Sequence, residues 1–491
     1  MKRSFLMLLL CSTTIAYSQK IAKPDAYAKT ITAADLKKHL YIVAGPEMEG
    51  RETATPGQRK AAAYIEDQFK KIGLQPGNGS SYQMMFNVYQ DSLVGSNIEV
   101  NGHGFQVDRD YNAIVNGLGA TMRFSEVVVM GPNTLDSLPR MDLAGKLVLL
   151  TSANTQRNAA GQNLTTLLQS KGVAAILTVS SAFPRTTPFN RKSSQTINIF
   201  RRTVAPLQMS ISSSVARTIA PDYDAVQSNN TIIKSYPANV LLEVRKNTGV
   251  VQSSNVLGVL PGTDLKDEYL FITAHYDHLG KRGDSVIYYG ADDDGSGTVS
   301  LIELAEAFQK AKAEGKGPRR SIVFMAVSGE EKGLWGSEYY ASNPVYPLNK
   351  TTADLNIDMI GRIDPKRTTG DSTNYVYVVG DDKLSSDLRV ISEAMNKKYT
   401  KLELDYKYND PEDKEFIYYR SDHYNFAKNG VPIIFYFNGT HADYHRPTDT
   451  PDKITYPLMA KRAQLVFYTA WEMANRNEML KRDLPLPVLR R

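Results

Sequence analysis

Two stretches carry side chains whose types and spacing suit metal chemistry: F271-I-T-A-H-Y-D-H-L-G280 and, ten residues on, G290-A-D-D-D-G-S-G297. The first is an apolar run ending in His275 and Asp277. It reads as a buried strand delivering an imidazole and a carboxylate to its carboxyl end, the edge at which open α/β sheets keep their sites. The second sets Asp292, Asp293 and Asp294 side by side. Three carboxylates packed beside a buried strand are costly unless a cation neutralises them, so a bound metal explains them economically. An acidic turn capping a helix that starts near Ser296 explains them too.

The same residue types recur at the ends of other predicted strands. Glu330 and Glu331 close S-I-V-F-M-A-V-S-G-E-E, Asp358 closes L-N-I-D, and His445 lies beyond V-P-I-I-F-Y-F-N-G. Of the seven histidines in the chain, His275, His278, His423, His441 and His445 fall in these loops. A single histidine packs or faces solvent in most proteins, and a Glu-Glu pair usually sits on a solvated face. Gathered at one sheet edge, they form a set of ligands. Imidazole and carboxylate without thiolate suit zinc, with cobalt or manganese as alternatives.

The elements that must position these residues follow from periodicity. From Asn255 the chain alternates strand, loop and helix: SNVLGVLPG and EYLFITAHYDH as strands, TVSLIELAEAFQKAKAEG as an amphipathic helix, then SIVFMAVSGEE, ADLNIDMIG, NYVYVVGD and VPIIFYFNG as strands. That rhythm predicts an α/β fold with a mostly parallel central sheet flanked by helices, closed by the terminal helix YPLMAKRAQLVFYTAWEMANR. Residues 32 to 74 carry helical periodicity broken by P46-E-M-E-G-R-E-T-A-T-P-G57, which is either a rim of the site or a plain connection between helices. Between about 95 and 240 the texture turns to short β-like runs poor in candidate ligands, as expected of an inserted β-rich module. The expected division is a leader at 1–18, the first part of the α/β domain at 19–109, the insert at 110–240 and the main part of the α/β domain, with the candidate ligands, at 241–491.

Lys2 and Arg3 precede the apolar run FLMLLLCSTTIA, and Ala16-Tyr17-Ser18 offers small residues for cleavage before Gln19, which is the pattern of a signal peptide. The protein is therefore expected to be exported, periplasmic or secreted, with no membrane span. The only cysteine, Cys11, lies in that leader, so thiolate ligands, cysteine nucleophiles and disulfides are excluded from the rest. The formal net charge of +6 is spread without an aromatic-interleaved basic stripe, and nucleic acid is not an indicated partner.

The strings AHYDH, GADDDGSG, SGEEKGLWGSEYY, NIDMIG, SDHYNF and YHRPTDT, in this order between 255 and 455, resemble those of the peptidase family M28 zinc aminopeptidases. The string D142-L-A-G-K-L-V-L-L150 resembles the core strand of the protease-associated (PA) domain often inserted in that family. The resemblance implies hydrolysis of amino-terminal residues from peptides with two zinc ions per chain. It implies Asp292 as the shared ligand, His275 and Asp358 completing one site, Glu331 and His445 the other, and Glu330 as general base. The family's cis peptide bond after the shared aspartate would be Asp292–Asp293. Asp277 would orient His275, Asp449 would support the His445 loop, Asp293 would stand just behind the ligands, and His423 would be structural. Of Tyr418 and Tyr419, spacing favours Tyr418 for oxyanion stabilisation. The same fold also serves one-zinc glutaminyl cyclases, carboxypeptidases, for which Arg420 is the candidate carboxylate anchor, and metal-free binding proteins.

Overall fold

The run Leu270 to His275 is apolar on both faces because it is buried on both, as a central strand of a parallel sheet must be. In the computed structural model, which describes residues 23–153, 162–198, 205–410 and 412–486, Leu270, Ile272 and Ala274 point into one hydrophobic core and Phe271 into another. The described residues form two units. One comprises residues up to Phe86 and from Ser253 on, the other Asn87–Gln252.

In the first unit the strand Leu265–His275 is flanked on both sides by parallel partners, Arg320–Val327 and Thr351–Ile357. Thr351–Ile357 continues in parallel to Ile433–Phe437, which pairs antiparallel with Tyr375–Val379; the latter runs parallel to Glu403–Asp405. On the other side Arg320–Val327 pairs antiparallel with residues 256–260. The expected parallel centre is thus present with antiparallel neighbours towards its edges. Helices Ala33–Val43, Pro56–Ile72, Gly297–Ala313 and Tyr456–Asn475 contribute to the core on one face, while Tyr340 and Phe426 pack on Phe271 from the other. Gly73, with φ 88, ends the helix Pro56–Ile72, as its place after the last periodic residue predicts.

The second unit has its own parallel set, Thr121–Met130, Leu147–Leu150, Ala175–Val179 and Leu207–Ile211, with Tyr111–Ala113 antiparallel at the end. Short helices Leu164–Ser170 and Ser213–Ile219 accompany it, so the unit is α/β in texture and not purely β. Its limits lie outside the expected 110 and 240. They fall inside the extended segments Gln83–Val100 and Ile233–Leu260, where no turn signal marks them. The leader at 1–18, including Cys11, lies outside the described residues. No helix of the described residues is long and apolar enough to cross a membrane.

Candidate metal centre

Three adjacent parallel strands end at one edge, and each leaves its acid or base there. Leu265–His275 ends in His275 itself, Arg320–Val327 leads through Ser328 and Gly329 to Glu330 and Glu331, and Thr351–Ile357 is followed by Asp358. Parallel register brings residues that are 52 to 83 positions apart in the chain side by side. The Asp292–Asp294 loop, which leads into the helix Gly297–Ala313, closes over the same edge.

His275 Nε2 lies 3.2 Å from Asp293 Oδ1, 3.6 Å from Asp358 Oδ1 and 3.9 Å from Glu330 Oε2. Across the shared Asp293, His445 Nε2 lies 3.1 Å from Asp293 Oδ2 and 3.2 Å from Glu331 Oε2. His278 joins this second group, its Nδ1 2.7 Å from Glu331 Oε1 and 3.8 Å from Asp293 Oδ2. Ligand atoms of His275, Asp293 and Asp358, and those of His278, Asp293 and Glu331, lie mutually within 4.8 Å. The structure therefore brings together His275, Glu331, Asp358 and His445, with Asp293 at the shared position expected of Asp292.

The three consecutive aspartates have three different fates. Asp292 turns away: its Oδ1 accepts from Gly361 N at 2.7 Å and Ser296 Oγ at 3.1 Å, and its Oδ2 lies 3.2 Å from His441 Nε2. With its oxygens committed to these partners it joins neither group, which corrects the expectation for it. Asp293, expected behind the ligands, stands among them. Asp294 Oδ1 accepts from Gly297 N at 2.9 Å and Met359 N at 3.0 Å, so the helix-capping explanation holds for this one residue. The non-proline cis bond is Asp293–Asp294, one residue later than expected. Gly290 makes the loop feasible: its φ is +55, and a Cβ there would lie 2.5 Å from His278 Cγ.

The supporting residues also differ in part from expectation. Asp277 faces His275, but the nearest partner of His275 Nδ1 is the main-chain oxygen of Asp277, at 3.2 Å, with the carboxylate at 3.8 Å. A proton on Nδ1 leaves the Nε2 lone pair facing the carboxylates. Asp277 itself accepts from Thr53 Oγ1 at 2.7 Å and Glu330 N at 3.2 Å. Asp449 supports the acidic loop and not primarily that of His445, its Oδ2 accepting from Asp292 N at 3.0 Å and Asp293 N at 3.2 Å. His423 is buried with Nε2 2.8 Å from Tyr418 O, and burial pulls its pKa down to about 3, which keeps it neutral as a structural residue.

Tyr418 is not at the site. It is fully buried among Tyr419, His423 and Tyr424, because Ile417 and Tyr418 form a tight turn whose apolar side faces the core. The tyrosine that lines the cavity beside Asp293, Glu330 and Asp358 is Tyr444, together with Met359, Phe435 and Arg420. Its ring stacks on His445 with centroids 3.9 Å apart, and its hydroxyl accepts from Arg420 Nη2 at 3.1 Å. Spacing gave no signal for Tyr444 beyond its place next to His445. Likewise, nothing in a run of three aspartates reveals which one points inward.

These residues fit a metal on chemical grounds. His275 Nε2, His278 Nδ1, Asp293 Oδ2 and Glu331 Oε1 are buried and face only other members of this cluster, with no well-directed hydrogen bond, although buried polar atoms are almost always satisfied. Burial would lower the pKa of His275, yet Asp358, Glu330 and Asp293 raise it well above the ordinary value. His445 is carried by Asp293 and Glu331 to about 10 against the same effect of burial. Such fields draw positive charge to the ring nitrogens, and a cation can take the place of those protons. Glu330, which lines the cavity, is pushed well above the usual carboxylate range by burial and, against the pull of His275, by Glu331 and Asp358.

Residues 255–470 match the model of Peptidase family M28. A "Probable leucine aminopeptidase" of Arthroderma otae is 28% identical over 228 residues, covering 45% of this chain and 58% of its own length. A "Probable zinc metalloprotease" of Pyrenophora tritici-repentis is 32% identical over 172 residues, 33% of each chain. The chain thus spans little more than half, or less, of these relatives. Among solved structures, an aminopeptidase from Aneurinibacillus sp. strain AM-1 superposes with a TM-score of 0.55 over 95% of this chain and 100% of its own, at 19% identity. BSAP, a zinc aminopeptidase from Bacillus subtilis, does so at 0.51 over 93% and 98%, at 18% identity. At such identities the likeness is one of fold.

Proposed function

We propose that the protein is an exported zinc-dependent aminopeptidase that hydrolyses the first peptide bond of peptide substrates, with two zinc ions held by His275, Asp293 and Asp358 and by Asp293, Glu331 and His445. The observation that carries this reading is the meeting of imidazole and carboxylate groups from three strand ends and the acidic loop, several of their buried atoms satisfied by nothing outside the cluster, beside a small, partly apolar cavity. When bound, the zinc pair supplies Lewis acidity that polarises the scissile carbonyl and acidifies the attacking water. Glu330 takes the proton of that water and returns it to the leaving amine, as its raised proton affinity allows. Tyr444 and Arg420 face the developing oxyanion, the role earlier expected of Tyr418. The choice of the amino end of the substrate is supported by the relative named as a probable leucine aminopeptidase.

Arg420 supports one second reading, carboxypeptidase action, because it is a cation at the same cavity. A chromogenic panel of free, amino-blocked and carboxyl-blocked substrates, run with elemental analysis, separates the readings. The aminopeptidase requires about two zinc per chain and a free amino terminus. Equal cleavage of amino-blocked substrates, or one zinc per chain as in a cyclase, would overturn it. Glu330→Gln should retain zinc while turnover falls by on the order of a thousandfold, the scale of losing a catalytic proton-transfer group; unchanged turnover would strip Glu330 of the role of general base, and no turnover of any substrate by the wild type would leave only a binding protein. Export rests on the leader at 1–18, and recovery of the mature chain starting at Gln19 outside the cytoplasm tests it. The Asn87–Gln252 unit we read as the PA-type insert, on the strength of the D142 to L150 string.

A further inference from the structure

The loop between the first two long helices holds a buried cation that the reaction does not use. Arg51 is fully buried, yet among the described residues its guanidinium forms no ion pair and donates only to main-chain carbonyls, three of which belong to the loops that carry the candidate ligands. Nε donates to Tyr276 O at 2.7 Å, between His275 and Asp277. Nη1 donates to Tyr289 O at 2.7 Å and Nη2 to Gly290 O at 2.9 Å, just before the acidic run. The remaining bond, Nη1 to Val43 O at 2.9 Å, anchors the group to the helix Ala33–Val43. A planar fork with several fixed donors can tie two loops at once, which a lysine ammonium cannot reproduce.

The backbone around Arg51 is shaped to deliver it. Glu49, Gly50, Arg51 and Ala54 all have positive φ, at 51°, 68°, 53° and 63°. Gly50 lies so close to the ligand loop that a Cβ would stand 2.3 Å from Gly280 O. Gly50 O accepts from Gly280 N at 2.9 Å and Arg51 O from His278 N at 3.3 Å, so the segment runs alongside residues 278–280. Its neighbours reach further site residues: Thr53 holds Asp277, and Glu52 Oε1 accepts from Lys332 Nζ at 2.7 Å, one residue past Glu331. Non-glycine residues with positive φ persist where surrounding contacts over-determine them.

We propose that Arg51 is a positioning residue: its guanidinium, and not the metal, sets the spacing of the Tyr276 and Gly290 loops that brings His275 and Asp293 together. The consequence for zinc rests on the metallopeptidase reading above; the setting of the loops does not. The test uses the full chain, zinc as probe, and amide hydrogen exchange at 276–278 and 290–294. In the metal-stripped wild type these amides should stay protected; if they exchange as fast as unstructured peptide until zinc is added, the metal shapes the loops and the proposal is wrong. Arg51→Lys should speed exchange there in the stripped protein and raise the zinc dissociation constant by about tenfold or more, the scale seen when a residue supporting a ligand is lost. Unchanged exchange and unchanged zinc affinity in that variant would overturn the proposal. Should Arg51→Lys not fold, the wild-type exchange result decides alone. Should the wild type bind no zinc, the metallopeptidase reading fails, and exchange in the metal-free proteins still judges Arg51.

Discussion

Each unit of this protein has a run of parallel strands, and the carboxyl ends of the two runs carry different chemistry. In the first unit the ends deliver His275, Glu330, Glu331 and Asp358. In the second, Met130, Leu150, Val179 and Ile211 are followed by Gly131-Pro132-Asn133, Thr151-Ser152-Ala153, Ser180-Ser181-Ala182 and Ser212-Ser213. Those are hydroxyls, amides and small residues that satisfy turns and helix starts. Parallel topology makes an edge where side chains can converge, and the residues placed there decide whether it becomes a site. That contrast can be broken or sharpened by substitution.

The largest effect is expected within the acidic loop of the first unit. Asp293→Asn should cost zinc and lower turnover by on the order of a thousandfold or more, because one charged ligand serves both groups. Asp292→Asn, which weakens braces to Gly361, Ser296 and His441 and removes no candidate ligand, should stay within about tenfold. The reverse order, read from zinc content and kcat, would restore Asp292 to the shared position. Next in size, Tyr444→Phe should lower kcat by about a hundredfold, the scale of removing one oxyanion donor, with KM little changed. Tyr418→Phe, buried away from the cavity, should leave kcat nearly unchanged; a large loss there would show the two tyrosines to be misassigned.

A smaller effect distinguishes a structural histidine from the ligand histidines. The pKa of His423 is lowered to about 3 from 6.5 by burial, so the unfolded chain binds a proton that the folded protein refuses. Its contribution to stability is full above about pH 6.5 and is lost as the pH falls towards 3. Melting temperature followed over that window should fall more steeply in the wild type than in His423→Phe, which would keep the packing on Phe435. Parallel slopes would mean that the ring is protonated in place. Smallest of all, Ser212→Ala at the second unit's edge removes the acceptor for Val215 N and should cost about 1 kcal/mol of stability, as helix caps do, with no change in kcat. A loss of activity there would give the quiet edge a function.

The strands and most candidate ligands were legible because they depend on local pattern. An apolar run that ends in a titratable residue, repeated at Leu265–His275, Arg320–Val327 and Thr351–Ile357, reads as a buried strand and an edge in any context. The limits of the second unit were not legible, since they fall within extended segments. Nor was Tyr444, whose partner His445 reaches the site on a loop with positive φ. The P46 to G57 stretch could be read as either rim or connection, and its guanidinium bonds to Tyr276, Tyr289 and Gly290 decide the matter.

By itself the sequence determined which chemistry is available: imidazoles and carboxylates at strand ends, no thiol outside the expected leader, and a parallel sheet to align them. Only the tertiary structure decided which of Asp292, Asp293 and Asp294 faces the centre. Their side chains are chemically identical, and the choice falls to remote partners: Gly361 and His441 claim Asp292, Met359 helps to hold Asp294, and Asp293 is left to meet His275 and His445. Hydrogen bonds between residues some 65 to 150 positions apart set that orientation, and no local pattern records them.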